Sequence, residues 1–401
     1  MRTALRHAGA TLAAVLTWAV VLTGVTGCTA AEDLLGKSGS PEDAIEVVPA
    51  NGTKNVPADR PIEVKVPDGH LESVKVMKLQ DAEEVPVHGR IDEDGTRWRP
   101  TGERRLALAA KYTVDVVALD EDGHRVARHT TFATSVPAKR FVGYVTPEDR
   151  STVGTGMIVS LEFNRAIENR AAVQRAIHIT TKPAVEVAPH WFGKSRLDFR
   201  PRDYWKPGTE VTVDLGLRDV QSSPGVYGVQ HKKIAFTIGR SQTSLVDADE
   251  DTMEVRRDGE LLDTIPITAG AVKTPTYNGK MVVSEMLEMT RMDSRTVGFG
   301  GEYNVPDVPH AIRLTKSGTF LHGNYWTSDA FGERNISHGC IGLADERGGS
   351  SDTPAGWFFD RTLVGDVIEV VNSKDKVVAP DNGLSGWNMN WKDWKAGAAK
   401  S

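Results

Sequence analysis

Residues 318–343 read GTFLHGNYWTSDAFGERNISHGCIGL, and this stretch sets the reading of the whole chain. Gly339 immediately precedes Cys340 and Gly342 follows two later, while His322 and His338 lie 18 and 2 residues upstream of the cysteine. A cysteine nucleophile needs thiolate character, a base or imidazolium partner, and donors for an oxyanion. All three kinds of group are present. A glycine beside a nucleophile lets a substrate carbonyl approach backbone N–H groups and permits strained φ/ψ. If His338 and Cys340 share a strand, their i, i+2 spacing puts both on one face; His322 then comes from a neighbouring strand. The chemistry alone does not choose between the two histidines. Two other readings compete. His322, His338 and Cys340 are zinc-ligand types, but only three are visible and His-x-Cys is not a usual zinc spacing, so no metal is expected. An inert buried thiol is the other reading, and glycine and histidine are poor core neighbours for it.

Outside this stretch the chain holds one more cysteine, Cys28. Arg2 and Arg6 form a basic start, residues 8–27 carry no charge, and Val25-Thr26-Gly27-Cys28 closes the run. This is a signal peptide with small residues before a cysteine, and its ending resembles a bacterial lipobox, in which the Cys28 thiol would carry diacylglycerol. The alternative is an uncleaved membrane anchor, although glycines and threonines weaken a helix there. Either way the remainder is expected at the outer face of the cytoplasmic membrane. Lipidation of Cys28 leaves Cys340 unpaired, against the disulfide habit of exported proteins. The formal charge is −6, and −8 without residues 1–27, which hold two arginines and no acid. No basic tract stands out, so nucleic acid is not an expected partner.

The 401 residues, 39% apolar and 25% charged, suffice for two or three globular domains. Residues 1–27 read as signal peptide and 28–43 as a lipidated tether. Residues 44–239 read as short alternating strands between turn signals such as Asp94-Gly95 and Asp122-Gly123. They contain a repeat. Trp98-Arg99-Pro100 matches Phe199-Arg200-Pro201, Tyr112-Thr113-Val114-Asp115-Val116 matches Val211-Thr212-Val213-Asp214-Leu215, and Phe132 matches Phe236. A period of about 100 residues fits two tandem Ig-like sandwiches, 44–137 and 138–239. Their scattered histidines read as surface or packing residues, so the pair is expected to supply reach rather than chemistry. Residues 240–372 are again mostly β, with one short helix near residues 353–361, and are expected to keep their chemistry without the sandwiches. In the tail, 373–401, the spacing of Trp387, Trp391 and Trp394 suits one helical face packed onto the body.

Ser337-His338-Gly339-Cys340, with Leu321-His322-Gly323 upstream, resembles the signature of the L,D-transpeptidase (YkuD) family. Residues 270–283 (GAVKTPTYNGKMVV) look like that domain's glycine turn and following strand, and Met292-Asp293-Ser294 like the start of its active-site flap. The architecture resembles the lipid-anchored branch with two Ig-like domains and a Trp-containing C-terminal subdomain. The resemblance implies a mainly β fold: two sandwiches followed by a β-rich catalytic domain. It implies Cys340 as nucleophile and His322 as base, oriented by the Gly323 carbonyl. His338 would be the second histidine, Ser337 a support, and Gly339 and Cys340 N–H groups the oxyanion donors. Tyr303, Met292 and Asp293 would lie near substrate. The family usually has Asn or Arg two residues after the cysteine, where this chain has Gly342.

The implied reaction is acyl transfer without a cofactor. It joins peptidoglycan stem peptides in 3→3 crosslinks through a Cys340 thioester and releases D-Ala from a tetrapeptide. Carbapenem β-lactams would acylate the same thiol. With water as acceptor the enzyme becomes an L,D-carboxypeptidase; a non-catalytic wall-binding spacer is the alternative outside enzymes.

Overall fold

In a computed structural model, residues 44–102, 105–297 and 300–400 are described; Cys28, the signal peptide and the tether lie outside them. The repeated segments become matching strands. Tyr112, Val114, Val116 and Ala118 are the buried side of Lys111–Asp120, and Val211, Val213 and Leu215 that of Glu210–Gly216. The two-residue period puts each set on one face. Each strand pairs antiparallel with the one bearing the repeat's phenylalanine, Tyr112 opposite Phe132 and Val211 opposite Phe236. Trp98 and Phe199 come from the other sheet of their sandwich and help close its core.

The third segment forms a nine-stranded mixed sheet. Its order is Gly279–Val282, Val367–Val371, Gln242–Asp247, Thr252–Arg257, Glu260–Thr268, Ile341–Ala344, Phe320–Asn324, Asn304–Arg313 and Glu285–Asp293. Phe320–Asn324 runs parallel to Ile341–Ala344, and a parallel pair needs a long return connection. Residues 325–340 make that return, which delivers Cys340 to the start of a strand beside the one carrying His322. The helix expected near residues 353–361 is Pro354–Arg361. Thr353 caps it, its hydroxyl accepting from the Gly356 N–H at 3.2 Å, and proline opens it where no N–H partner is needed. Its Ala355 and Phe358 are buried in the core under this sheet, and the helix packs on the strands that carry His322 and Gly342.

The tail packs back onto the body, but not as one helical face. Trp387 lies in the turn Gly386–Asn388, and the helix is only Trp391–Ala396. The three indoles gather around Arg200, whose guanidinium carbon is 4.5, 5.4 and 4.5 Å from the rings of Trp387, Trp391 and Trp394. Trp394 is fully buried and donates from its indole to the Ala188 carbonyl at 2.9 Å. Its own carbonyl accepts from His190 Nδ1 at 2.8 Å, so that histidine is a packing residue. Val282 and Val367 from the third sheet, with Leu384 and Trp394 from the tail, belong to the core of the second sandwich. A Cβ on Gly154 would meet Asp366 Oδ1 at 2.3 Å, so the two units touch backbone to side chain. The first sandwich closes a core of its own.

Candidate active site

The loop before Cys340 is held at Ser337. Its N–H donates to the Ala269 carbonyl at 3.0 Å, and its carbonyl accepts from the Ala271 N–H at 2.8 Å and from Thr274 Oγ1 at 2.9 Å. The 270–283 turn therefore clamps the nucleophile loop from behind. The Ser337 hydroxyl donates to the Cys340 carbonyl at 2.6 Å and accepts from the Gly339 N–H at 3.1 Å. Gly339 has φ +107, a value that L side chains rarely adopt. This tight turn corrects the expectation that His338 and Cys340 share one strand: both precede Ile341–Ala344. It also corrects the oxyanion assignment, because the Gly339 N–H is already committed to Ser337. The Cys340 N–H remains as the backbone candidate.

His322 lies opposite Gly342 in the parallel ladder, and Cys340, two residues before Gly342, walls the same hollow as both. His322 is buried and Cys340 half-buried. His322 Nδ1 is 2.9 Å from the Gly323 carbonyl. A carbonyl only accepts, so Nδ1 carries the proton and Nε2 has a free lone pair. Burial lowers the His322 pKa from its ordinary value, opposed by that hydrogen bond and by Asp345. Burial pushes the Cys340 thiol up to about 11, opposed by the Phe320 N–H, which lies 3.4 Å from Sγ. Both groups are thus neutral at rest near pH 7, and the proton leaves sulfur as it attacks. Trp326 stacks on the imidazole with ring centroids 5.6 Å apart.

Asp345 stands behind this strand. Its side chain is fully buried; Oδ2 accepts from His310 Nδ1 at 2.7 Å, and Oδ1 accepts from Thr353 Oγ1 at 3.0 Å and from the Glu346 N–H at 2.8 Å. Gly323 is required by closeness: a Cβ there would sit 2.0 Å from Asp345 Oδ2.

Two hollows meet at the site, and Tyr303 and His338 wall both. One, of about 320 Å³, is lined by Cys340, His322, Met292, Val305, Val308 and Trp326. The other, of about 360 Å³, is lined by Gly339, Thr274, Tyr277, Ser317 and Lys273. Tyr303 is fixed by a reciprocal pair with Ser294: its N–H donates to Ser294 Oγ at 3.2 Å and its carbonyl accepts from the Ser294 N–H at 3.1 Å. Burial, then the nearby Cys340, raises its phenol to about 12, so it stays a donor.

A family described as the L,D-transpeptidase catalytic domain matches residues 241–370, and one described as a bacterial Ig domain matches residues 53–221. L,D-transpeptidase 2 of Mycobacterium tuberculosis (strain CDC 1551 / Oshkosh) is 35% identical over 356 residues, covering 88% of this chain and 84% of that protein. The chain belongs to the L,D-transpeptidase family. L,D-transpeptidase 5 of Mycobacterium tuberculosis (strain ATCC 25618 / H37Rv) is 28% identical over 368 residues, covering 90% and 78%. A solved LD transpeptidase in complex with imipenem is 30% identical, with a TM-score of 0.48, over 59% of this chain and all of that one. The expected order of Ig-like region and catalytic domain holds, and the protein is an L,D-transpeptidase, an acyltransferase that uses a cysteine nucleophile.

Within this transpeptidase the structure brings together Cys340, His322, Gly323, Ser337, Gly339, His338, Tyr303 and Met292. Asp293 is corrected: it walls neither hollow. Its carboxylate accepts from Arg295 Nε at 2.9 Å and from the Arg295 N–H at 3.1 Å, and the arginine holds its pKa down to about 2. It shapes the flap turn Ser294–Val297. His338 Nε2 pairs with Glu302 at 2.8 Å, and its ring lies 5.0 Å from that of Tyr303. Sequence reasoning missed Asp345, Glu302, Trp326 and Asn324. Asp345 and Asn324 flank the motif closely enough to have been flagged, whereas Glu302 carries no signal before the flap folds.

Proposed function

We propose that Cys340 is the acylated residue and that His322 Nε2 takes its proton. The observation that carries this is that His322 and Cys340 wall one hollow, with His322 Nδ1 tied to the Gly323 carbonyl. The thiol sulfur attacks the carbonyl carbon of residue three of a tetrapeptide stem, and its proton passes to His322. The Cys340 N–H and the Tyr303 hydroxyl serve the developing oxyanion. The C–N bond breaks, His322 returns the proton to the leaving D-Ala amine, and a thioester remains. The side-chain amine of a diamino acid on a second stem then attacks, loses its proton to His322, and expels the thiol to give a 3→3 crosslink. The two hollows give donor and acceptor separate approaches. Carbapenem β-lactams present a strained carbonyl to the same sulfur.

Anchoring at Cys28 would hold the enzyme at the outer face of the cytoplasmic membrane, facing the wall; the Val25-Thr26-Gly27-Cys28 sequence after an uncharged run supports this. The test of the reaction is incubation of the chain from residue 29 onward with disaccharide-tetrapeptide, read by mass spectrometry. A dimer lacking one D-Ala supports crosslinking; a tripeptide alone assigns the acceptor to water and makes the enzyme a carboxypeptidase; unchanged substrate refutes the reading.

A further inference from the structure

The departure at Gly342 has a counterpart on the adjacent strand. His322 and Asn324 are i, i+2 on Phe320–Asn324, so both project to one side, and Asn324 walls the same hollow as Cys340, His322 and Gly342. Asn324 is only 4% exposed. Its Oδ1 accepts from the Trp326 N–H at 3.1 Å, which fixes which way the carboxamide faces. The NH2 group therefore points the other way, and among the described residues it donates to no protein atom. A Cβ built on Gly342 would lie 3.3 Å from Asn324 Nδ2, 3.4 Å from Asn324 Cβ and 3.0 Å from Thr268 Cγ2. The carboxamide thus lies over the space that a side chain at 342 would enter, and the glycine leaves it room. The unused donor faces the hollow that holds Cys340, where a bound ligand can accept from it.

We propose that Asn324 supplies, from the histidine's strand, the carboxamide that position 342 lacks, and that Nδ2 donates a hydrogen bond to a carbonyl or carboxylate oxygen of the bound stem peptide. Its role is to position substrate; it takes no proton. This rests on the assignment of Cys340 and His322 above. The experiment compares Asn324→Ala, Gly342→Asn and the pair Asn324→Ala/Gly342→Asn, with Cys340→Ala as control. It reads kcat/KM on disaccharide-tetrapeptide and the thermal midpoint. Asn324→Ala should lower kcat/KM by about 10-fold to 100-fold, the scale of one lost donor, along with a modest drop in the midpoint from the Trp326 N–H left without its acceptor. Gly342→Asn alone should also lower it, because the new side chain crowds Asn324 and Thr268. The pair should recover most of the loss, since the carboxamide then enters from the other strand. Unchanged kcat/KM in Asn324→Ala overturns the proposal, as does a loss that the pair does not recover. Activity surviving in Cys340→Ala would instead overturn the underlying reading.

Discussion

Gly323→Ala tests whether the strand carrying His322 is fixed from behind. The added methyl would sit 2.0 Å from Asp345 Oδ2, whereas ordinary contact begins at 3.4 Å, so the groups must separate by about 1.4 Å. Neither side yields easily. Gly323 is paired with Leu343 in the parallel ladder, and the Asp345 carboxylate is held by His310, Thr353 and backbone N–H groups. Overpacking of this kind costs about 1–3 kcal/mol. If the carboxylate swings, the buried His310 bond is lost for about 1–3 kcal/mol more. A shift of about 1 Å at the adjacent His322 is worth about 100-fold in rate. Gly323→Ala should therefore lower the thermal midpoint and slow acylation by a carbapenem about 100-fold, as followed by intact mass over time. The three nearest atoms, at 2.0, 2.8 and 2.9 Å, are Asp345 Oδ2, Cγ and Cβ, so Gly323→Ala/Asp345→Gly should be scarcely less stable than Asp345→Gly alone. A Gly323→Ala protein with unchanged midpoint and acylation rate would refute the reasoning.

Three further outcomes follow from the same structure. Burial holds His322 below its ordinary pKa and Cys340 at about 11, so the acylation rate should be flat near neutral pH and fall only in acid, as Nε2 is protonated below 6.5; a rate already falling as pH drops through 7.5 would contradict a neutral pair. A fragment starting at Arg240 strips cover from Val282, Val367, Leu384 and Trp394, so it should be far less stable than one starting at Lys139, which should fold and acylate; equal thermal midpoints would count against the shared core. Cys28→Ala should abolish labelling by a fatty-acid probe, and persistent labelling would remove Cys28 as the anchor.

The sandwiches and the nucleophile motif were legible because their signals are local. Alternation in residues 111–116 and 211–215 fixes one buried face, and the His338-Gly339-Cys340 triplet marks the thiol as a nucleophile, though not the turn that holds it. What the sequence hid depends on pairing between distant segments. The parallel register of His322 with Gly342 joins strands separated by the return of residues 325–340, and the pairing of His338 with Glu302 forms only once the flap has folded. The commitment of the Gly339 N–H to Ser337 follows from a φ of +107 that no spacing rule reports. Trp387, Trp391 and Trp394 have helical spacing, yet the chain turns at Gly386–Asn388 so that all three can surround Arg200. The boundary at Arg240 looks like a linker in sequence, but the Gly154 and Asp366 contact closes it.

The most direct test of the central assignment is peptide mapping of the covalent adduct left by a carbapenem on the chain from residue 29 onward. The adduct should map to Cys340, be absent in Cys340→Ala, and form about 100-fold more slowly in His322→Ala, the scale of a lost general base. An adduct that persists in Cys340→Ala and maps to another residue would contradict the assignment.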